Sequence, residues 1–326
     1  MKKNTLAVFD SDEEYVTKLM SYMSDSRSVP LEIQGFTDKK RLKDYMQGNE
    51  VDILLIPEEE LDDEIEAYET GEMMVLSEGD SSEDGKGHKS ICKYQSSENI
   101  VKEVMCYYAD SPETELGILN AANTEIIGIY SPIRRSFRTS FAFALGEVLS
   151  EREKVLYINL EEYSGFNQLL QKNFMMDISD LIFYIGQKKR NFPCKLASMV
   201  EKAGLMDFIP PVISPLDILS VDRETWNIFF NELCNCDYSK IVVDISDSVS
   251  AFLDILSCCK KIYMPVREDT ISKAKLEQYE AMLRIMERED IIDRTERLTI
   301  PFMNDLNGNL RTLGDSPLGD FARSLL

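Results

Sequence analysis

The chain has 326 residues, of which 44% are hydrophobic, and this length suffices for about two domains, each with a buried core. The formal net charge is -22 at pH 7, and about three quarters of that excess precedes Asn123, which predicts two units of different character. Such acidity argues against a general affinity for DNA or for an anionic membrane, because both require a basic surface. We therefore expect protein partners and no nucleic acid.

The cysteines and the apolar segments exclude further classes. The 7 cysteines show no paired CxxC spacing and there is 1 histidine, so neither a disulfide framework nor a zinc site is expected. Asp10 interrupts the first apolar run too early for a signal peptide, and no apolar run approaches the ~20 residues of a membrane-spanning helix. These features predict a cytoplasmic protein with no integral membrane segment.

The first part of the chain alternates between short apolar runs and segments with helical spacing. This alternation predicts a doubly wound parallel sheet over residues 1–110. The strands are expected at 5–10, 31–36, 51–57, 72–78 and 90–95, and the helices at 13–23, 39–47, 58–69 and 97–109, the last one capped by Ser97.

Charged residues lie at the ends of two of these strands, with Asp10 and Asp12 after the first and Lys93 near the end of the last. In this respect residues 1–110 resemble response-regulator receiver domains, which hold magnesium and a lysine at such positions. The resemblance implies a phosphoryl-accepting aspartate after the third strand, but Pro57 stands there and offers no nucleophile. We therefore predict a pseudo-receiver used for contacts, with a working receiver as the alternative. The acids also have a plainer interpretation, as residues that favour the dipole of the following helix.

A second domain is predicted from residue 125 to residue 326. Residues 111–124 contain Pro112 and Gly117 without strong periodicity and are expected to form the linker. The following residues predict a strand, a short loop and a helix. This order directs backbone N–H groups and the positive end of a helix towards one place, which is the geometry that binds phosphate.

The loop at residues 131–140 resembles the deviant Walker A loop of the MinD/ParA group of ATPases, whose pattern is K-G-G-x-G-K-[ST]-[ST]. The resemblance extends to residues 239–249, which are similar to a Walker B strand, and to Asn159 and Glu161, which stand where that group places acids. Asp244 then takes the position that holds magnesium through water. In the loop itself, Ile133 replaces the signature lysine, Arg134, Arg135 and Phe137 replace the three glycines, Arg138 replaces the second lysine, and Thr139 and Ser140 are retained.

These replacements bear directly on the chemistry. Glycines serve such a loop because the backbone turns with positive φ and approaches the phosphates without a Cβ in the way, and three bulky side chains oppose both. Loss of the signature lysine removes a charge that stabilises the transferred phosphoryl group, so hydrolysis is expected to be lost or very slow. Guanidinium groups nevertheless suit phosphate oxygens.

Binding of ATP or ADP with magnesium therefore stays open, against the interpretation that the loop is solvated or forms an interface. No cofactor is required by either interpretation. Thr139 and Asp244 are the candidate magnesium ligands. The candidate nucleotide-binding residues are Arg134, Arg135, Ser136, Phe137, Arg138, Thr139, Ser140 and Asp244.

The two parts together predict an α/β protein with two doubly wound parallel-sheet domains, a receiver (CheY-like) fold followed by a MinD/ParA-like P-loop NTPase fold. This combination resembles the CpaE/TadZ group, which localises and organises pilus-assembly machinery at the cell pole. The resemblance implies a non-catalytic localisation or scaffold protein, a homodimer through its second unit, at the pole or at the inner face of the membrane. The alternative is a nucleotide-switched protein whose dimerisation responds to ATP or ADP.

Overall fold

The computed structural model describes residues 4–25, 29–68, 70–79, 87–110, 124–187, 191–301 and 310–326, the side chains of residues 25 and 311 excepted. The chain divides into two compact units. Unit 1 contains residues 1–120 and 187–199, and unit 2 contains residues 121–186 and 200–326. The predicted linker at 111–124 lies outside the described residues, apart from Thr124.

Unit 1 is built on a five-stranded parallel sheet with the order β2-β1-β3-β4-β5. The apolar runs of β1 and β3 are buried because helices cover both faces of such a sheet. The doubly wound first domain is thus confirmed. Its elements are β1 (Thr5–Phe9), α1 (Glu13–Asp25), β2 (Glu32–Phe36), α2 (Lys39–Gly48), β3 (Val51–Pro57), α3 (Asp63–Glu66), β4 (Thr70–Ser77), β5 (Lys89–Cys92) and α4 (Ser97–Asp110).

Two local predictions in unit 1 are wrong. The acidic helix expected at 58–69 is a 3-10 turn at Glu58–Glu60 followed by the four-residue α3. The helix breaks because Asp62 is extended and accepts a hydrogen bond from the N–H of Ile65, which starts a new helix there. At α4, the capping hydroxyl belongs to Ser96, which accepts from the N–H of Asn99 at 3.2 Å, and Ser97 is already helical.

A helix from a distant part of the sequence completes unit 1. This helix, α8 (Phe192–Met199), packs against α4, and the Asn191 side chain donates to the carbonyl oxygen of Tyr108 at 3.2 Å. The buried apolar residues of α4 form a stripe wider than one helix face needs. α8 therefore supplies a partner for the side of α4 that its own sheet cannot cover. The buried residues of α4 are Ile100, Val101, Val104, Met105, Tyr108 and Ala109.

Unit 2 contains a seven-stranded sheet with the order β12-β11-β6-β10-β7-β9-β8, in which only the pairing of β8 with β9 is antiparallel among the described strands. A second doubly wound sheet is thus confirmed. Its strands are β6 (Glu125–Ile129), β7 (Val155–Asn159), β8 (Glu201–Ala203), β9 (Met206–Ile209), β10 (Lys240–Asp244), β11 (Lys261–Pro265) and β12 (Thr295–Leu298).

The helices of unit 2 cover this sheet. The first of them, α5 (Arg138–Ser150), is the next element after β6, and its Gly146 lies so close to the Met206 side chain that a Cβ would meet Sδ. No helix among the described residues combines the length and the apolar character that crossing a membrane requires. The helices are α5 (Arg138–Ser150), α6 (Phe166–Leu169), α7 (Ile178–Gly186), α9 (Pro215–Leu219), α10 (Arg223–Cys234), α11 (Phe252–Cys258), α12 (Thr270–Ile285), α13 (Glu289–Asp293) and α14 (Pro317–Arg323).

Glu147 on α5 predicts a pH-dependent stability. Burial raises the pKa of this carboxyl to about 7, although it accepts a hydrogen bond from the N–H of Gly314 at 2.6 Å. Because the folded pKa lies above the unfolded one, the folded state binds more protons between these values, so stability falls as pH rises from about 5 to 8. We expect Glu147→Gln to raise the free energy of unfolding at pH 8 by about 1 kcal/mol.

Urea denaturation at pH 5 and pH 8 measures this effect. The two proteins should differ little at pH 5, where the Glu147 carboxyl carries its proton, and more at pH 8. Glu151→Gln, at an exposed position one helical turn further along, serves as the matched control. A Glu147→Gln variant that is less stable than the parent at pH 8 would contradict the prediction.

Candidate functional site

The loop between β6 and α5 is held by its own hydrogen bonds and by one neighbouring strand. The Ser131 hydroxyl donates to the carbonyl oxygen of Pro265 at 2.7 Å and accepts from the N–H of Ile133 at 3.1 Å. The buried Ser136 hydroxyl donates back to the carbonyl oxygen of Ile133, whose side chain is buried. Ile133, at the position expected for the signature lysine, therefore points into unit 2 and contributes to its core.

Two loop residues adopt the left-handed conformation although neither is glycine. The φ angle is 57° at Arg135 and 60° at Phe137, and α5 begins immediately after Phe137. The bulky side chains therefore oppose the turn, as expected, but do not prevent it. The backbone keeps the turn at two positions where it costs about 1–2 kcal/mol per residue.

This strain predicts the effect of restoring one glycine. Arg135 is exposed, so Arg135→Gly removes no buried contact and relieves the left-handed conformation. We expect the free energy of unfolding to rise by about 0.5–1 kcal/mol, after the greater entropy of glycine in the unfolded chain is subtracted. Arg134→Gly is the matched control, because Arg134 is also exposed and has no positive φ. Denaturant melts that rank Arg135→Gly below Arg134→Gly in stability would contradict this account.

Arg138, the first residue of α5, joins two carboxylates that belong to different strands. Its Nε donates to Oδ1 of Asp244 at 2.6 Å, and a terminal nitrogen donates to Oε1 of Glu161 at 2.5 Å. Asp244 ends β10 and is fully buried, and Glu161 follows β7 by two residues. Since parallel strands end at the same edge of the sheet, both carboxylates meet the guanidinium at the carboxyl ends of β7 and β10.

A second set of hydrogen bonds fixes these acids. The Thr139 hydroxyl donates to the other Glu161 oxygen at 2.7 Å, and the Asn159 amide donates to Oδ2 of Asp244 at 3.3 Å. The Asn159 side-chain oxygen in turn accepts from the N–H of Glu161 at 2.9 Å. Each carboxylate thus has partners on both of its oxygens, and the pair forms one connected network with Arg138.

Charge stabilises this network in a buried setting. Burial by itself lowers the pKa of the Arg138 guanidinium, but Asp244 and Glu161 outweigh it and hold the pKa above its ordinary value. Burial raises the pKa of the Asp244 carboxyl, and the guanidinium opposes that rise. Arg138 therefore compensates carboxylates that would otherwise be costly to bury.

A cleft of about 450 Å³ opens above the network. The predicted residues from Arg134 to Ser140 line it, whereas Asp244 is not part of the lining. Sequence reasoning had not included Glu162, Ser246 and Asp247, which also line the cleft; they follow β7 and β10, so their position at strand ends was the available signal. The lining contains three arginines and three acidic residues, so the cleft has no excess of positive charge.

The candidate magnesium ligands are already engaged. Thr139 donates its hydroxyl proton to Glu161, and both oxygens of Asp244 accept hydrogen bonds from protein groups. Within the described ranges, no group of three or more His, Cys, Asp or Glu side chains is arranged to hold a metal ion.

Two of the three charged residues that carry the receiver resemblance meet in unit 1. Lys93 Nζ lies 2.5 Å from Oδ2 of the buried Asp10, and it lies over the ring of Tyr15 at 5.0 Å from the centroid. Asp12 instead accepts hydrogen bonds from the N–H groups of Glu14 and Tyr15 at the start of α1, in agreement with the plainer interpretation of this acid. Pro57 is buried at the end of β3, so a carboxylate is absent from the acceptor position.

Comparison with known proteins finds a family match for the first part of unit 1. Residues 1–109 match a family of receiver domains, in accord with the parallel sheet and the pairing of Lys93 with Asp10. The family is described as "TadZ-like, receiver domain", and the match covers one third of the chain. The predicted resemblance to the CpaE/TadZ group is confirmed for these residues. No curated protein matches the chain significantly.

Solved structures similar to the chain include an ATPase, a partition protein and a cell division protein. A ParA family ATPase from Chlorobium tepidum has 15% identity and a TM-score of 0.49, and the match covers 61% of this chain and 98% of that one. A plasmid partition protein from Borrelia burgdorferi, bound to AMPPNP, has 17% identity and a TM-score of 0.46, covering 63% and 100%. The MinD cell division protein of Aquifex aeolicus has 21% identity and a TM-score of 0.45, covering 62% and 96%.

Proposed function

We propose that the chain is a non-catalytic localisation or scaffold protein of the CpaE/TadZ kind. It would organise pilus-assembly or other polar machinery through protein contacts, in the cytoplasm or at the inner face of the membrane, as a homodimer through unit 2. The observation that carries this proposal is the binding of Arg138 to both Asp244 and Glu161. A cation of the protein itself stands between Glu161 and Asp244, and Asp244 is the acid that the resemblance places at the magnesium position.

The geometry of the loop supports the absence of hydrolysis. A magnesium ion would have to displace a guanidinium that makes two charge-assisted hydrogen bonds, which are among the stronger ones in proteins. Ile133 is buried, so no cation extends from the position of the signature lysine. The phosphates of a nucleotide would also meet Glu161 and Glu162 at the cleft. Each of these features disfavours a bound Mg²⁺–nucleotide, and together they support a site that is closed by its own ion pairs.

Unit 1 supports the same proposal from its own residues. The pairing of Lys93 with Asp10 preserves the charges of a receiver site, whereas Pro57 has no atom that could accept a phosphoryl group. The site therefore retains a structural ion pair but has no carboxylate that could be phosphorylated. Unit 1 would then act as a contact domain.

Isothermal titration of the full chain with ATP and with ADP, each with Mg²⁺, tests the proposal. We expect no binding heat up to about 1 mM nucleotide, and the same titration of Arg138→Ala shows whether removal of the guanidinium opens the acids to Mg²⁺. Sedimentation of the same samples measures whether the mass responds to nucleotide. A micromolar dissociation constant for the parent protein would overturn the proposal.

A nucleotide-switched protein is the second candidate, and one observation favours it. Arg134 and Arg135 are exposed and line the cleft beside the N-terminal end of α5, where guanidinium groups and backbone N–H groups suit phosphate oxygens. In this case the parent protein would bind nucleotide and change its mass, and Arg134→Ala with Arg135→Ala would abolish both effects.

A further inference from the structure

Helix α12 of unit 2 presents a mostly apolar stripe to solvent, interrupted by one glutamine. The stripe is formed by Ile271, Ala274, Gln278, Ala281 and Ile285, all exposed; 71% of the Ile271 side chain and 82% of the Ile285 side chain are accessible. The opposite side of the helix is anchored by the buried Ser272, Leu276, Tyr279 and Leu283. The helix is therefore held firmly in unit 2, and two of its largest aliphatic side chains point away from that unit.

The spacing within the α12 stripe is that of a helix-pairing seam. The residues follow one another at intervals of three, four, three and four, which is the a/d pattern of a heptad repeat. A single amphipathic helix needs apolar residues on one side only, and α12 already has them on its buried side. Packing in the core of unit 2 therefore does not account for the outward α12 stripe.

Size and charge along the stripe favour an antiparallel second copy of α12. In that orientation Ile285 of one copy faces Ala274 of the partner subunit, and Gln278 faces Ala281 of the partner subunit, so the larger residue of each pair meets a small one, while Ile271 lies beyond the paired segment. Glu277 at the edge of the seam then lies beside Arg284 of the partner subunit, and the two-fold symmetry forms this pair twice. A parallel arrangement would place the two alanines of the stripe against their own copies and would leave Glu277 beside Met282 of the partner subunit.

We propose that two copies of this chain associate through an antiparallel pairing of their α12 stripes. This inference rests on the homodimer of the proposed function and names the surface that forms it. Arg284 now bonds Glu280 on its own helix at 3.3 Å, but this exposed pair is weak enough to exchange for the partner's Glu277. The 16-residue helix is about 24 Å long, so the interface is small and the association is reversible and concentration-dependent.

Sedimentation velocity of the full chain over a range of concentrations tests the surface. We expect the parent protein to dimerise and Ile285→Lys to weaken the dimer at least about tenfold, because a charge replaces a buried aliphatic residue in each copy. Ile213→Lys is the matched control: Ile213 is 74% exposed elsewhere on unit 2, and its replacement should leave the dimer unchanged. Circular dichroism confirms that each variant is folded.

A charge exchange tests the orientation. Glu277→Arg and Arg284→Glu should each weaken the dimer several-fold, and the double variant should recover the parent affinity, because the two edge pairs are restored with reversed signs. If the Ile285→Lys variant still dimerises like the parent, the proposal that α12 forms the interface is wrong, but the proposed homodimer is not contradicted. A parent protein that stays monomeric up to about 100 μM would overturn both, whereas the nucleotide titration of the proposed function is unaffected by either result.

Discussion

Replacement of Arg138 by methionine is expected to lower the free energy of unfolding by about 3 kcal/mol at pH 8. The variant keeps an aliphatic side chain of similar length but leaves Asp244, which has no exposed surface, and Glu161 without their cation. Two acids in one buried network then repel each other, and each must stay charged at high pH or take up a proton. Urea denaturation at pH 8 measures the loss.

The pH dependence of this loss identifies its cause. Without the guanidinium the pKa of the Asp244 carboxyl rises further, because burial already raises it and the opposing charge is gone. An acid whose pKa is higher in the folded than in the unfolded state lowers the free energy of unfolding when it is ionised. This effect is complete above the folded pKa and absent below the unfolded pKa. The deficit of Arg138→Met should therefore shrink as pH falls from 8 towards 5.

Two further variants complete the test. Arg138→Lys keeps the charge and loses the geometry that reaches two carboxylates at once, so it should cost less than methionine. Arg134→Met removes an exposed arginine of the same loop and should change stability by less than about 0.5 kcal/mol. A loss below about 1 kcal/mol for Arg138→Met at pH 8 would mean that the network does not stabilise the fold, and the main support for a closed site would fall.

Phe192→Ala is expected to destabilise unit 1 by about 3 kcal/mol, although residue 192 lies far along the chain from the other residues of that unit. Phe192 opens α8 and is 2% exposed, and α8 packs against α4. The truncation leaves a cavity at this helix, so the backbone hydrogen bonds of α4 should open more readily.

Amide hydrogen exchange of the full chain measures this effect element by element. Exchange should accelerate in α4 as well as in α8, whereas the strands of unit 2 should keep their protection. Phe183→Ala is the matched control, because the Phe183 side chain on α7 is 68% exposed and its loss should leave α4 unchanged. Faster exchange confined to α8 would show that α4 does not depend on this helix.

Much of the fold could be predicted because its signals are local. Buried strands such as β3 are continuous apolar runs, and α1 and α2 have helical spacing, so the alternation that defines both doubly wound sheets is visible in the sequence. The acidic segment after β3 was predicted as one helix because its spacing is helical. A single capping hydrogen bond to Asp62 divides the segment into a 3-10 turn and a short helix. The spacing of apolar residues does not show that a side chain competes for backbone hydrogen bonds in this way.

The position of α8 could not be predicted for a different reason. Its sequence shows an amphipathic segment between two elements of unit 2, and nothing local reveals that the stripe matching it belongs to α4. The wide stripe of α4 was a signal that a second helix must cover it. Which helix covers it depends on contacts between residues that are far apart in the sequence.

At the candidate site, the sequence located the residues but not their bonds. The loop, Asp244 and Glu161 were all found by resemblance, and the structure brings them together at one edge of the sheet. The resemblance suggested that Arg138 would face phosphate. The network shows that it faces the acids, because a buried carboxylate attracts the nearest available cation and the protein itself supplies one.

The place of α8 in the chain also sets an order of events during synthesis. A ribosome that has released the β-strands of unit 1 has still to translate residues 111–191 before the helix that covers α4 emerges. Nascent unit 1 therefore exposes part of the apolar stripe of α4 for several seconds at ordinary rates of elongation. During that interval β6, α5 and β7 are made as well, so the first unit to begin folding need not be the first to finish.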